Sequence, residues 1–283
     1  MNALTRTIRF ASVVLTLLAA EASRADDVAT SRSEVYKKTP EGELQIHLDL
    51  PSDWQATDRR PAIVFFFGGG WTGGKVEQFE TQAKHLAGRG MICARADYRV
   101  KSRHKVTPVE CVEDAKSAVR WLRQNAARLG IDPERIVSAG GSAGGHLAAC
   151  TSLTPGLDAK DEDASISSQP NLLVLYNPVL NFTNVPSLAS RVGDNAETAR
   201  LISPTVHLAK TTPAALLLYG SADKLIVQGE EFLARSKELG HRAEMFTAEG
   251  VGHGFFNRSP WTEKTTARVD EFLTAAGYLP PKP

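Results

Sequence analysis

Nearly uninterrupted apolar runs recur along this chain at residues 62–67, 91–96, 136–139, 172–176 and 214–219, separated by segments of helical periodicity. That rhythm constrains the fold more than any other feature. A strand with one face in water alternates apolar and polar residues, whereas a strand covered on both faces reads as a continuous apolar run. The intervening segments supply the cover. Pro108 opens the clearest of them: Val112, Ala115, Val119, Leu122, Ala126 and Leu129 share one helical face, and Gly130 stops the helix. Further helices are expected at 77–87, 146–152, 227–239 and 261–275, and another strand at 243–247. Strands alternating with helices imply an α/β fold, a mostly parallel sheet with helices on both faces. Only residues 44–50 alternate as a half-buried antiparallel strand does, and Pro51 ends them.

The 283 residues suffice for one large core, and residues 26–283 read as a single domain. Before it, Arg6 and Arg9 precede an apolar run at 10–20, and Ser23-Arg24-Ala25 offers a small-x-small cleavage pattern ahead of Asp26. Residues 1–25 therefore read as a secretory signal peptide, because the run is shorter than the about 20 residues a membrane-spanning helix needs. A secreted or periplasmic location is the expectation, with no membrane contact once the signal is cleaved. Lys and Arg number 33 against 32 Asp and Glu, without a basic stripe, so no nucleic-acid partner is implied. Cys93, Cys111 and Cys150 fit no zinc spacing, so no metal is expected. Two of them could pair in an oxidising compartment, or all could be buried thiols. Residues 154–170 read as a polar surface loop. Residues 177–212 lack a strong period and read either as a small cap over the site or as a plain excursion between strands.

Gly140-Gly141-Ser142-Ala143-Gly144 matches Gly-x-Ser-x-Gly. A strand runs into it and an apolar helix leaves it, the setting a nucleophile elbow requires. Such a turn is strained, tolerates only small neighbours, and exposes the serine hydroxyl above the C-terminal edge of the sheet. A glycine-rich phosphate-holding turn is the competing reading. Upstream, Gly68-Gly69-Gly70-Trp71 closes the apolar run at 62–67. Ester cleavage passes through a tetrahedral oxyanion that needs backbone N–H groups about 3 Å away, and glycines let a backbone come that close. The candidate donors are Gly69, Gly70 and Ala143. Trp71 either lines the mouth of the pocket or packs the loop.

A serine hydroxyl needs a base, and the base needs a carboxylate to fix its tautomer. His253, in Val251-Gly252-His253-Gly254-Phe255, sits between the last strand and the last helix, at the same edge of the sheet. His146 lies only one helical turn beyond Ser142 and reads as a packing or capping residue. Asp223 follows the strand at 214–219, and Glu249 is the alternative acid. The chain order Ser142, Asp223, His253 is the order in which this kind of fold places nucleophile, acid and base.

With these elements in place, the chain resembles the α/β-hydrolase superfamily. Within it, the chain is similar to secreted carboxylesterases near the hormone-sensitive-lipase-like and the acetylxylan or feruloyl esterase groups. Residues 67–71, 97–99, 114–122, 140–148, 220–223 and 252–255 carry the likeness, which covers about 40–276. The resemblance implies a serine carboxylesterase with Ser142, Asp223 and His253 as triad, Gly69, Gly70 and Ala143 as oxyanion hole, and no cofactor. An acetylated or feruloylated carbohydrate is the expected substrate class. A prolyl-oligopeptidase-type peptidase and a non-catalytic binding protein are the rival readings. One departure stands out: Phe67 occupies the place of the histidine that usually opens the oxyanion loop in lipase-like members. Asp97-Tyr98-Arg99 and Asp114 are expected to hold loops near the site rather than to take part in chemistry.

Overall fold

The computed structural model describes residues 30–183 and 185–282, so the signal-peptide reading at 1–25 lies outside the described residues. In chain order the elements are β1 Thr30–Thr39, β2 Gly42–Leu50, β3 Arg60–Phe66, α1 Glu80–Gly88, β4 Ile92–Ala96, α2 Lys101–His104, α3 Pro108–Gln124, α4 Ala126–Leu129, β5 Ile131–Gly141 and α5 Ala143–Leu153. They continue with β6 Leu172–Tyr176, α6 Pro186–Ala189, α7 Ala196–Leu201, β7 Ala214–Gly220, α8 Ile226–Leu239, β8 Ala243–Ala248 and α9 Trp261–Ala275. The strands form one sheet in the order β1-β2-β4-β3-β5-β6-β7-β8. The pairs β1–β2 and β2–β4 are antiparallel, and every pair from β4–β3 to β7–β8 is parallel.

The continuous apolar runs become the central strands because both faces of the sheet are covered. Along β5, Ile136 belongs to the core under α3, α5 and α8, with Val112, Leu147 and Phe232. Its neighbours Val137 and Ala139 belong to the core under α1 and α9, with Leu86 and Phe272. Every parallel strand therefore ends its C-terminal side at one shared edge, where crossover loops gather.

Several boundaries differ from the sequence reading, each for a local reason. The helix opened at Pro108 stops at Gln124, because the Asn125 side chain takes the Trp121 carbonyl (2.8 Å) and a separate turn, α4, follows. Its start is held by Thr107 and Glu110, each binding the other's end of the turn. The helix expected from residue 146 begins at Ala143, directly after the serine. Strand β1 is not foreseen at all: its Thr-Ser-Arg-Ser-Glu-Val-Tyr-Lys-Lys-Thr sequence carries charge where a strand signal would carry apolar residues. Backbone pairing with β2 and burial of Tyr36, whose hydroxyl donates to Asp97 O (2.8 Å), hold it in place.

A charged cluster lies under β1. Asp114 of α3 is fully buried and accepts from Arg99 N (3.0 Å), Nε (2.9 Å) and Nη2 (2.9 Å), with Lys37 Nζ 2.8 Å from its other side. Residues 154–170 form the expected loop, tied down because Asp158 and Glu162 pair with Arg120. Cys93, Cys111 and Cys150 are all buried free thiols.

Candidate active site

The β5 strand ends at Gly141 and α5 begins at Ala143, so Ser142 makes the turn between them by itself. Its φ of 55° and ψ of −117° are conformationally costly for a residue with a side chain. The surrounding glycines permit this turn. A Cβ on Gly140 would stand 2.3 Å from Gly144 O, and one on Gly144 would stand 2.0 Å from Phe66 O. Tyr176 O of the neighbouring strand accepts from Ser142 N (2.8 Å) and fixes the turn against the sheet.

His253 and Asp223 meet this serine from the two loops that follow β8 and β7. His253 Nε2 is 2.8 Å from Ser142 Oγ, and His253 Nδ1 is 2.7 Å from Asp223 Oδ2. An ionised carboxylate only accepts, so Nδ1 carries the hydrogen and the Nε2 lone pair faces the serine hydroxyl. Asp223 is buried and also accepts from Leu225 N (2.9 Å), whereas the His253 side chain is 41% exposed and can reach a bound molecule. Backbone contacts lock the two loops together: Ala222 N donates to Val251 O (3.0 Å), and a Cβ on Gly220 would come within 2.1 Å of that same oxygen. Glu249, the alternative acid, instead accepts from Ser221 Oγ (3.1 Å).

Asn177 completes this side and is absent from the sequence reading. It follows β6 directly with φ of 35°, is buried, accepts from Gly254 N (3.1 Å), and brings Nδ2 to 3.4 Å from His253 Nε2. Its position one residue past an apolar run, at the shared edge of the sheet, is the signal that could have found it.

Across the serine, the glycine loop approaches so closely that a Cβ on Gly68 would lie 3.3 Å from Ser142 Cβ. Gly68 N is committed to Gln78 Oε1 (2.6 Å). Gly69 N, Gly70 N and Ala143 N have no acceptor among the described residues. Gly69 and Gly70 adopt φ of 130° and 62°; the first is open to glycine alone and the second is the left-handed turn glycine favours.

Phe67 holds the loop by packing. Its ring stacks on Tyr98 at 4.1 Å, and the Tyr98 hydroxyl donates to Phe67 O (2.7 Å). Of the two readings of Trp71, lining the pocket mouth or packing the loop, the structure favours packing. Trp71 is buried, has φ of 58°, packs against Phe182 and donates from Nε1 to His146 Nδ1 (3.2 Å). The reason lies in its neighbours: turned inward, the ring buries its apolar faces against Phe182 while His146 Nδ1 replaces water as acceptor for its N–H. Because His146 Nδ1 accepts, its Nε2 carries the hydrogen and donates to Ile202 O (2.7 Å). Burial lowers the His146 pKa to about 4, so the ring is neutral and bridges the glycine loop to the 177–212 segment. From that segment Arg191 Nη1 donates to Gly70 O (2.8 Å), and its guanidinium lies over the Trp71 ring. Gln78 Nε2 donates to Asn257 Oδ1 (3.1 Å), tying the glycine loop to the loop of His253.

The BD-FAE family model matches residues 48–237. Esterase 2 of Thermogutta terrifontis in its apo form is 45% identical, with a TM-score of 0.85 over 89% of this chain and 97% of that one. Its butyrate-bound structure is 43% identical, with a TM-score of 0.84 over 92% and 98%. A probable isoprenylcysteine alpha-carbonyl methylesterase of Oryza sativa subsp. japonica is 30% identical over 86% of this chain, which spans 61% of that relative's length. An eight-stranded, mostly parallel sheet with helices on both faces agrees with these esterase structures. The chain belongs to the BD-FAE family, and with it to the α/β-hydrolase carboxylesterases.

Proposed function

We propose that the protein hydrolyses carboxylic esters through an acyl-enzyme on Ser142. The unbroken run from Ser142 Oγ through the His253 imidazole to Asp223, at 2.8 and 2.7 Å, is the observation that carries this reading. In the first step His253 Nε2 takes the hydroxyl proton as Oγ bonds to the ester carbonyl carbon. Negative charge then collects on the former carbonyl oxygen. The free N–H groups of Gly69, Gly70 and Ala143 are its proposed donors, each contributing about 3–4 kcal/mol to the transition state. The N-terminus of α5 adds its positive end at the same place. His253 returns the proton to the leaving alcohol as the C–O bond breaks. Water then attacks the acyl-enzyme by the reverse route, releasing the acid and restoring Ser142. Asp223 offsets the charge that His253 carries between the two transfers.

Two finer points belong to the same reading. A short acyl group is proposed because the 43% identical esterase holds butyrate in its structure. An acylated carbohydrate, acetylated or feruloylated, is the proposed natural ester, met outside the cytoplasm after removal of residues 1–25. N-terminal sequencing of exported protein should then begin at Asp26.

The direct test measures hydrolysis of p-nitrophenyl acetate, butyrate and octanoate, methyl ferulate and acetylated xylan by wild type and Ser142→Ala. The expected result is turnover of the short esters and a loss of about 10⁶-fold in kcat in the variant. Full turnover by Ser142→Ala would overturn the mechanism. Absence of turnover by wild type on every ester would move the protein to the peptidase or binding-protein reading.

A further inference from the structure

An open recess of about 640 Å³ is lined by the loop on both sides of His253, from Gly250 to Trp261 at the start of α9. Its size is that of a pocket for a small organic ligand. Gly254, Asn257, Arg258, Ser259 and Trp261 are among its lining residues. The reaction proposed above gives this place a direction, and the inference rests on that reading. His253 hands its proton to the departing alcohol, so the alcohol must leave over the imidazole. A recess that His253 itself lines is therefore placed to receive the alcohol side of the ester.

Its walls describe the alcohol. Asn257 and Ser259 are exposed and polar, and half-buried Trp261 offers an apolar wall. Asn257 is already bound to Gln78 and to Gly254 O, so its amide is held in place. Arg258 is exposed, and its guanidinium has no hydrogen bond or ion pair among the described residues. Among the described residues no Asp or Glu lines the recess. The charges beside the lining residues are already engaged or lie off the wall: Asp223 is bound to His253 (2.7 Å), Glu249 accepts from Ser221 Oγ (3.1 Å), and Lys264 Nζ of α9 stands 4.6 Å from the centre of the Trp261 ring. Glu263, one residue before it, is exposed on the first turn of α9 and is not a lining residue. An unpaired guanidinium in a recess without acids suits a planar anion, because its fork of N–H groups matches a carboxylate in two parallel hydrogen bonds.

We propose that this recess is the alcohol-side subsite and that it takes an acylated sugar whose ring carries a carboxylate, with Arg258 as the counter-charge. The polar side chains and the Trp261 wall would receive the hydroxylated ring, and the ester oxygen would sit over His253.

The test compares kcat/KM for two matched acetate esters, one on a methyl glucoside and one on the corresponding methyl glucuronide, with p-nitrophenyl acetate as the reference. The expected wild-type preference for the acidic sugar is about threefold to tenfold, the range of a partly exposed charge-assisted pair, and it shrinks with added salt. Arg258→Gln should bring the ratio to about one, Arg258→Glu below one, and Arg258→Lys should restore part of it. A wild-type ratio of about one, or a ratio that Arg258→Gln leaves unchanged, would overturn the subsite. Failure on p-nitrophenyl acetate itself would instead overturn the esterase reading, so the two failures are distinguishable.

Discussion

Asp114 and Asp223 are both buried carboxylates, each accepting from a backbone N–H and from a cationic or potentially cationic partner. There the likeness ends. Asp114 is sealed by Arg99, whose charge is permanent near neutral pH, with Lys37 Nζ 2.8 Å away on its other side. Asp223 faces an imidazole whose far edge reaches solvent and the serine. An arginine partner makes a strut, with the charge state fixed and the geometry closed. A histidine partner makes a device that can gain and lose a proton while the carboxylate stays still. Burial of an acid is thus uninformative about chemistry; what its partner can do, and where that partner's other side points, is informative.

The comparison can be broken by separating activity from stability. Asp223→Asn should show the largest effect, about 10⁴-fold in kcat from a wrong His253 tautomer, with the melting temperature nearly unchanged. Ester hydrolysis and a thermal melt on the same sample check it, and a variant that lost stability but kept turnover would reverse the assignment. Asp114→Asn should do the opposite. It leaves Arg99 with Glu41 and Glu113 as its remaining carboxylates and should cost about 1–3 kcal/mol in urea unfolding, while kcat/KM of the folded enzyme stays within about threefold.

His146 adds a third case, a buried ring that is kept neutral. Its pKa falls from 6.5 to about 4 on folding, so between those values the unfolded chain binds the proton and the folded chain does not. Stability from this group is complete above pH 6.5 and is lost as pH falls toward 4, about 3 kcal/mol in all at roughly 1.4 kcal/mol per pH unit. Unfolding curves at several pH values should show that slope in wild type and lose it in His146→Gln. The smallest effect should come from Trp71→Phe. It leaves His146 Nδ1 without a donor, costs about 1–2 kcal/mol, and should lower kcat by a few-fold through a looser glycine loop, with KM little changed. A change confined to KM would return Trp71 to the pocket mouth.

The serine, the histidine and the aspartate that the structure brings into one hydrogen-bonded run can be picked out from the chain alone, because each sits in a short turn next to a strand signal and glycine or alanine marks the turn. What such turns cannot reveal is the bracing around them. Gln78 touches Gly68 and, 179 residues on, Asn257, and no local pattern singles it out; Asn177 sits one residue past an apolar run, but its contacts with His253 and Gly254, far away in the chain, leave no local trace. Trp71 shows the same limit: its acceptor on His146 lies 75 residues on, and only the folded sheet decides whether the ring faces in or out. Central strands are legible as apolar runs. The β1 strand is not, because at the sheet margin backbone pairing does the work that side-chain burial does in the middle.

The hydrogen bonds that close the site span great lengths of chain: 111 residues between Ser142 and His253, and 179 between Gln78 and Asn257. Contacts of such separation form late, since the loops they close must be ordered first. During synthesis, which delivers about 5–20 residues each second, the elbow and its glycine loop emerge well before the histidine. For that interval the nascent chain carries a serine with no base to activate it. Reactivity is therefore timed by the topology, arriving only when the last strand and helix dock, so a half-made copy cannot acylate itself on whatever ester is at hand.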